Sequence, residues 1–260
     1  MTRRRRLKNR YPKREGSAHA FPTGDSEVSA DGFDHAGDNC KADSEAQLGI
    51  GRALSALDRD AEAKTKLEAL TASLPSDAEV VLALGETEHA IGHFEPAEAN
   101  FRKSIELAPR RFDGYLALAQ LFFKKGDAAK ASEILNDAAS HVEESSEMRR
   151  MLGQSEMARN RLESAVHEFK RALELDPQDV EAMFGMATAL RKFGDLQGAE
   201  QILEKLAQRD SAFAGLAEQR GLLFEARGEY GKATKAYLDA LEKDPANTSL
   251  MLRLGGAQVE

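Results

Sequence analysis

The residues with chemical potential in this chain are few, and their spacing argues against most of what they could do. His89 and His93 stand four apart, the spacing that puts two imidazoles on one helical face where they could share a metal ion. No third ligand accompanies them, and Gly92 falls between them as a helix end, so both read as surface histidines. Gly49-Ile50-Gly51-Arg52 imitates the start of a dinucleotide-binding loop. It lacks the third glycine and the preceding strand that would bring a pyrophosphate against the backbone. Cys40 is the only cysteine, so no intrachain disulfide can form, and nothing around it suggests an activated thiol. The 44 Asp and Glu residues include no pair set apart for acid–base work. No catalytic residue, cofactor site or metal site is expected, and the protein reads as a non-enzyme.

Charge is arranged more tellingly than it is composed. The 260 residues carry a net charge of −8, yet Met1 to Arg14 holds eight bases and no acid, among them Arg3, Arg4, Arg5, Arg6, Lys8 and Arg10. Residues 15–43 then carry seven acids against Lys41 alone. This segment is polar and rich in Gly, Ser and Asp, so residues 1–43 read as a flexible leader that cannot build a core. The basic start resembles that of a targeting peptide but lacks the apolar stretch of a signal sequence. No apolar run approaches the length of a membrane span, and the single cysteine suits a reducing, cytoplasmic setting. The basic arm has four readings: a solvated tail, a contact for nucleic acid or an anionic surface, a nuclear address, or a segment that docks on the acidic body of its own chain.

The elements that position these residues repeat. "LGETEHAIGHFEPAEANFRKSIELAP" at 84–109 returns as "LGQSEMARNRLESAVHEFKRALELDP" at 152–177, 68 residues on. Six units of 34 residues run without insertion or deletion as 44–77, 78–111, 112–145, 146–179, 180–213 and 214–247. The twentieth place is always alanine: Ala63, Ala97, Ala131, Ala165, Ala199 and Ala233. The eighth is always small (Gly51, Gly85, Ala119, Gly153, Ala187, Gly221) and the twenty-fourth always large and apolar (Leu67, Phe101, Leu135, Phe169, Leu203, Tyr237). Glycine, Asp58 or Asn160 fills the fifteenth place, and Pro75, Pro109, Pro177 and Pro245 mark the thirty-second.

Each column has a physical reading as part of a helix pair. Apolar residues at the seventh and eleventh places, such as Leu118 and Phe122, share a helical face. The fifteenth suits a left-handed helix end, and the proline stops the second helix. Small eighth and twentieth residues admit close helix approach, while the twenty-fourth fills the space beside them. A single pair cannot bury its own apolar face, so the units must stack.

This pattern over residues 44–247 resembles the tetratricopeptide repeat. The resemblance implies an all-α, right-handed superhelical solenoid of about six 34-residue helix-turn-helix units, with 248–260 as a partial seventh unit or capping helix. Some columns depart from it. Tyr115 alone keeps the fourth-place aromatic, Glu143 and Ser211 replace the proline, and Arg220 occupies a core place in unit six.

The resemblance also implies where function lies, on the concave face lined by the second, fifth, ninth and twelfth places of the inner helices. The residues expected to form a partner-binding groove there are Glu79, Leu82, Glu86, Asp113, Leu116, Gln120, Phe123, Glu147, Arg150, Gln154, Glu181, Phe184 and Arg191. Together they describe an acidic edge with apolar patches, suited to a basic or amphipathic peptide or helix. Acids near helix starts also favour the helix dipole, a structural reason for part of the same pattern. The lysine and asparagine set with which some family members clamp the C-terminal carboxylate of chaperones is not matched. The asparagine ladder of sugar-transferring members is replaced by Gly49, Ala83, Ala117, Met151 and Gly185. The expected function is a protein–protein interaction scaffold. The alternatives are the substrate-recruiting or regulatory portion of a transferase or hydroxylase system, and a nucleic-acid-associated protein acting through the arm.

Overall fold

A computed structural model describes residues 40–257, which form helices and short connections with no strand among them. The basic arm and nearly all of the leader lie outside the described residues. The helices pair in sequence order: α1 (Cys40–Ala56) with α2 (Asp60–Ser73), α3 (Ala78–Ile91) with α4 (Phe94–Leu107), and α5 (Phe112–Lys124) with α6 (Ala128–Ala138). Then come α7 (Ser146–Ala158) with α8 (Leu162–Leu175), α9 (Val180–Phe193) with α10 (Leu196–Arg209), and α11 (Leu216–Ala226) with α12 (Tyr230–Lys243). A last helix, α13 (Thr248–Ala257), packs on α12. Cys40 opens α1, four residues ahead of Ser44.

The turn inside every pair passes through the left-handed region at the fifteenth place. Gly92, Gly126, Gly194 and Gly228 adopt positive φ there, and so do Asp58 at 60° and Asn160 at 58°, residue types that tolerate it with small strain. The two helices then close on a knob and a socket. A Cβ at Gly51 would lie 2.6 Å from Leu67, at Gly85 2.7 Å from Phe101, and at Gly221 2.3 Å from Tyr237. The eighth-place glycine is therefore the space that the twenty-fourth-place side chain fills. Phe101, Phe169 and Tyr237 are fully buried, each contributing about 2–3 kcal/mol through removal from water.

Connections between pairs record the proline column. Where it is kept, four residues join the helices: 74–77, 108–111, 176–179 and 244–247. Asp77 and Asp179 there cap the next helix by accepting its first free N–H groups. Where Glu143 and Ser211 replace proline, the preceding or following helix shortens and the connection lengthens to 139–145 and 210–215. In unit six α11 starts late behind Gly215 at φ 86°, and Arg220 is half-buried where Leu84, Leu118 and Leu152 are buried.

The odd-numbered helices form the inner face. α1 touches α3, α3 touches α5, α7 touches α9 and α9 touches α11, whereas even-numbered helices make no comparable contact with one another. Backbone approach within this inner row is sparsest at two breaks, between α5 and α7 and between α11 and α13, which side chains still bridge: Leu118 and Met151 share one core, and Arg253 pairs with Glu225.

Candidate ligand-binding groove

Both breaks in the inner row open into pockets. The larger, about 770 Å³, spans α3, α5, α7 and the start of α9. Its apolar lining comes from Phe101, Leu116, Ala117 and Met151. Around this lining stand Glu86, Asp113, Glu147 and Glu181, with Lys124 and Arg150 as the opposing cations. The three second-place acids sit in the first turns of α5, α7 and α9, where the helix dipole favours them and the inner row brings them to one side.

Of the residues that the sequence marks for the groove, Glu86, Asp113, Leu116, Gln120, Glu147, Arg150 and Glu181 line this one pocket. Arg191 lines the second. Leu82 is only 5% exposed and belongs to the core around Phe101 and Ala117. Phe123 packs half-buried against that core, and Phe184 lies against Phe213 with ring centres 5.2 Å apart. Glu79 is held by Arg52 at 2.8 Å and Arg111 at 3.4 Å. Gln154 is half-buried on α7 and lines neither pocket.

The histidine pair separates, and one half of the surface reading needs correction. His93 is exposed and pairs with Glu88. His89 is half-buried in the groove, its ring against Phe94 and Phe101 with centres 5.9 and 6.3 Å away. Burial first, and the Lys124 charge second, hold its pKa below the usual histidine value, so at neutral pH the ring is uncharged. Its Nε2 is buried and has no hydrogen-bond partner among the described residues. Arg150 Nε is likewise buried without a hydrogen bond, although the Asp179 carboxylate lies 3.5 Å away. The aromatic in the second half of the repeat, Phe101, turns the ring of His89 into part of the groove lining.

Sequence reading also passed over two buried acids. Glu88 and Glu156 hold eleventh places, an apolar column elsewhere, and are 4% and 8% exposed. Each reaches the twenty-first place of the preceding unit: Glu88 to Lys64 at 2.9 Å, Glu156 to Ser132 at 3.1 Å. Burial alone would raise the Glu88 carboxyl, but hydrogen bonds from Lys64 and His93 outweigh it and hold the pKa low. The signal was present as a polar eleventh residue facing a polar partner one pair earlier in the register, a correlation invisible to a column read alone.

Comparison with known proteins agrees with the geometry. The family model described as tetratricopeptide repeat matches residues 82–146 and 150–213. TPR repeat-containing protein YpiA of Bacillus subtilis (strain 168) is 25% identical over 201 residues, covering 75% of this chain and 47% of that protein. Hsp70-Hsp90 organizing protein 3 of Arabidopsis thaliana is 27% identical over 158 residues, covering 61% of this chain and 27% of that protein. The protein thus spans less than half the length of these curated relatives. Among solved structures, PilW, a type IV pilus biogenesis factor, superposes with a TM-score of 0.72 at 16% identity over 84% of this chain and all of that one.

The chain belongs to the tetratricopeptide repeat family, and its fold is that of the family's solenoids. Such a fold suggests a protein–protein interaction scaffold, and the family is generally non-enzymatic. Among the described residues no helix is long and apolar enough to cross a membrane.

Proposed function

We propose that this protein is a scaffold or adaptor that binds a basic, amphipathic peptide or helix of another protein in the groove between α5 and α7. The observation that carries the reading is the arrangement of four carboxylates, Glu86, Asp113, Glu147 and Glu181, around one apolar lining. An apolar face of the ligand would lie on the half-buried Leu116 and His89 ring, above the buried Ala117 and Met151, while its lysines or arginines meet the acids at the rim. Rim charges of this kind speed encounter and select partners more than they add affinity, so the apolar contact supplies the hold. The lysine and asparagine set of the chaperone-tail clamp is unmatched in the inner helices, so a ligand different from a chaperone C-terminus suits them better. In this reading the protein performs no catalysis of its own and works in a reducing, cytoplasmic setting, as its lone cysteine allows.

The test is fluorescence anisotropy with a labelled peptide of alternating lysine and leucine pairs against the full-length protein. The double substitution Glu147→Gln, Glu181→Gln should weaken binding about fivefold to tenfold at low salt, with the difference fading as ionic strength rises. Equal affinity of the two proteins at low salt would sink the acidic-groove reading.

A further inference from the structure

The second break in the inner row holds a pocket of opposite character. It occupies about 470 Å³ between α9, α11 and α13, and both Arg191 and Arg253 line it. Arg191 is steered by Gln219, whose side-chain oxygen accepts from its Nε at 3.2 Å. Among the described residues no acceptor is hydrogen-bonded to its two Nη groups, the planar fork that matches a carboxylate. The acid in the pocket is already engaged: Glu225 accepts from Arg253 at 2.9 Å and from the Tyr237 hydroxyl. Burial first, and Arg253 second, push Arg191 below its usual pKa despite Glu225 and Glu218 nearby. Two guanidinium groups thus line this cavity against one lining carboxylate, already engaged, with Glu218 as the other acid near Arg191.

We propose that this pocket receives a carboxylate of the bound segment, seated on the Arg191 fork with Arg253 beside it. The inference rests on the groove reading above and sharpens it by fixing the ligand's charge pattern. Glu181 and Arg191 stand ten residues apart on α9, about 15 Å along its axis. An extended segment covers that distance in about five residues and a helical one in about ten. The partner therefore carries a basic, apolar stretch followed at that spacing by a carboxylate, either an acidic side group or a free C-terminus. The concave face reads charge of one sign in its middle and of the other at its end, which sets the direction in which a segment lies.

The experiment uses the full-length protein and labelled lysine–leucine peptides, each made with a short and a long spacer of about five and ten residues. Behind the spacer one series carries Glu with an amidated end, a second Gln with an amidated end, and a third Gln with a free C-terminal carboxylate. At one spacer length a carboxylate-bearing peptide should bind about fivefold more tightly than its amidated Gln counterpart, and whichever of the two does so identifies the source. Arg191→Gln should abolish that advantage and Arg191→Lys should keep only part of it, since lysine retains the charge without the fork. Arg253→Gln, on a partly exposed side chain, should reduce it too, and thermal melts check that all variants stay folded. Equal binding of all series by the unmodified protein overturns the carboxylate site while leaving the groove reading intact. Failure of every peptide to bind overturns both.

Discussion

At the scale of residues, the most informative substitution is Arg149, which stands where the repeat usually holds a fourth-place aromatic. Tyr115, which keeps the aromatic, is buried against Ala138 and Met148. Arg149 replaces that packing with ion pairs, to Glu144 at 2.6 Å and Glu168 at 2.9 Å. Glu144 also binds Arg171 at 2.7 Å, so one carboxylate ties the long 139–145 connection to both α7 and α8. The Arg171 hydrogen bond first, joined by that of Arg149 and the charges of both, outweighs the opposing effect of burial and lowers the Glu144 pKa to about 2. The folded state therefore holds this group ionised at a pH where the unfolded protein protonates it. Its stabilisation is complete above the ordinary carboxylate range and fades as the pH falls from about 5 towards 2. Melting curves of the wild type and Glu144→Gln should accordingly differ at pH 7 and converge over that window. A gap that stays constant down to pH 2 would mean the side chain acts through packing alone.

At the scale of elements, what decides the structure is how closely two helices approach, and glycine marks where. Phe169 is pressed between Gly153 of its own pair and Gly185 of the next, where a Cβ would stand 2.4 Å from the ring. Gly185→Ala should cost about 1–3 kcal/mol, because the ring has no room to retreat in a filled core. Gly49 is also inside a helix, yet nothing lies within 4 Å of its missing Cβ. Gly49→Ala should therefore stabilise the protein by about 0.5–1 kcal/mol through helix propensity alone. Paired chemical denaturation of the two variants checks both signs, and loss of stability at Gly49 would contradict the open space there. The contrast also explains what was legible beforehand. Close approach is recorded directly as residue size at the eighth, twentieth and twenty-fourth places, so the helix pairs could be read column by column. The acidic rim could be read too, since helix phase alone places Asp113, Glu147 and Glu181 on one side. Leu82 could not be assigned, because phase puts it at the groove margin while the neighbouring Phe101 draws it into the core. His89, Glu88 and Glu156 depend on contacts between helices that no single column contains.

At the scale of the whole molecule, a solenoid is as strong as its joints, since each unit touches only its neighbours. The joint between units three and four combines several weakening features. Its connection is long and lacks the proline, α6 is shortened to 11 residues, and α5 and α7 do not make the contact that α7 makes with α9. Part of what holds it is polar, the Ser132 to Glu156 hydrogen bond between α6 and α7. The proposed groove straddles this same joint, with Asp113, Leu116 and Gln120 on one side and Glu147, Arg150 and Met151 on the other. A site built across a weak joint couples binding to stiffness: a ligand that touches both sides stabilises the closed arrangement in proportion to its occupancy. Native-state hydrogen exchange should then show amides of 139–145 and the facing ends of α6 and α7 opening at lower free energy than those of α8 and α9. The lysine–leucine peptide at saturating concentration should slow exchange most at that joint. Uniform exchange through one global opening, with equal slowing in every helix on binding, would separate the groove from the joint and return the solenoid to a single cooperative body.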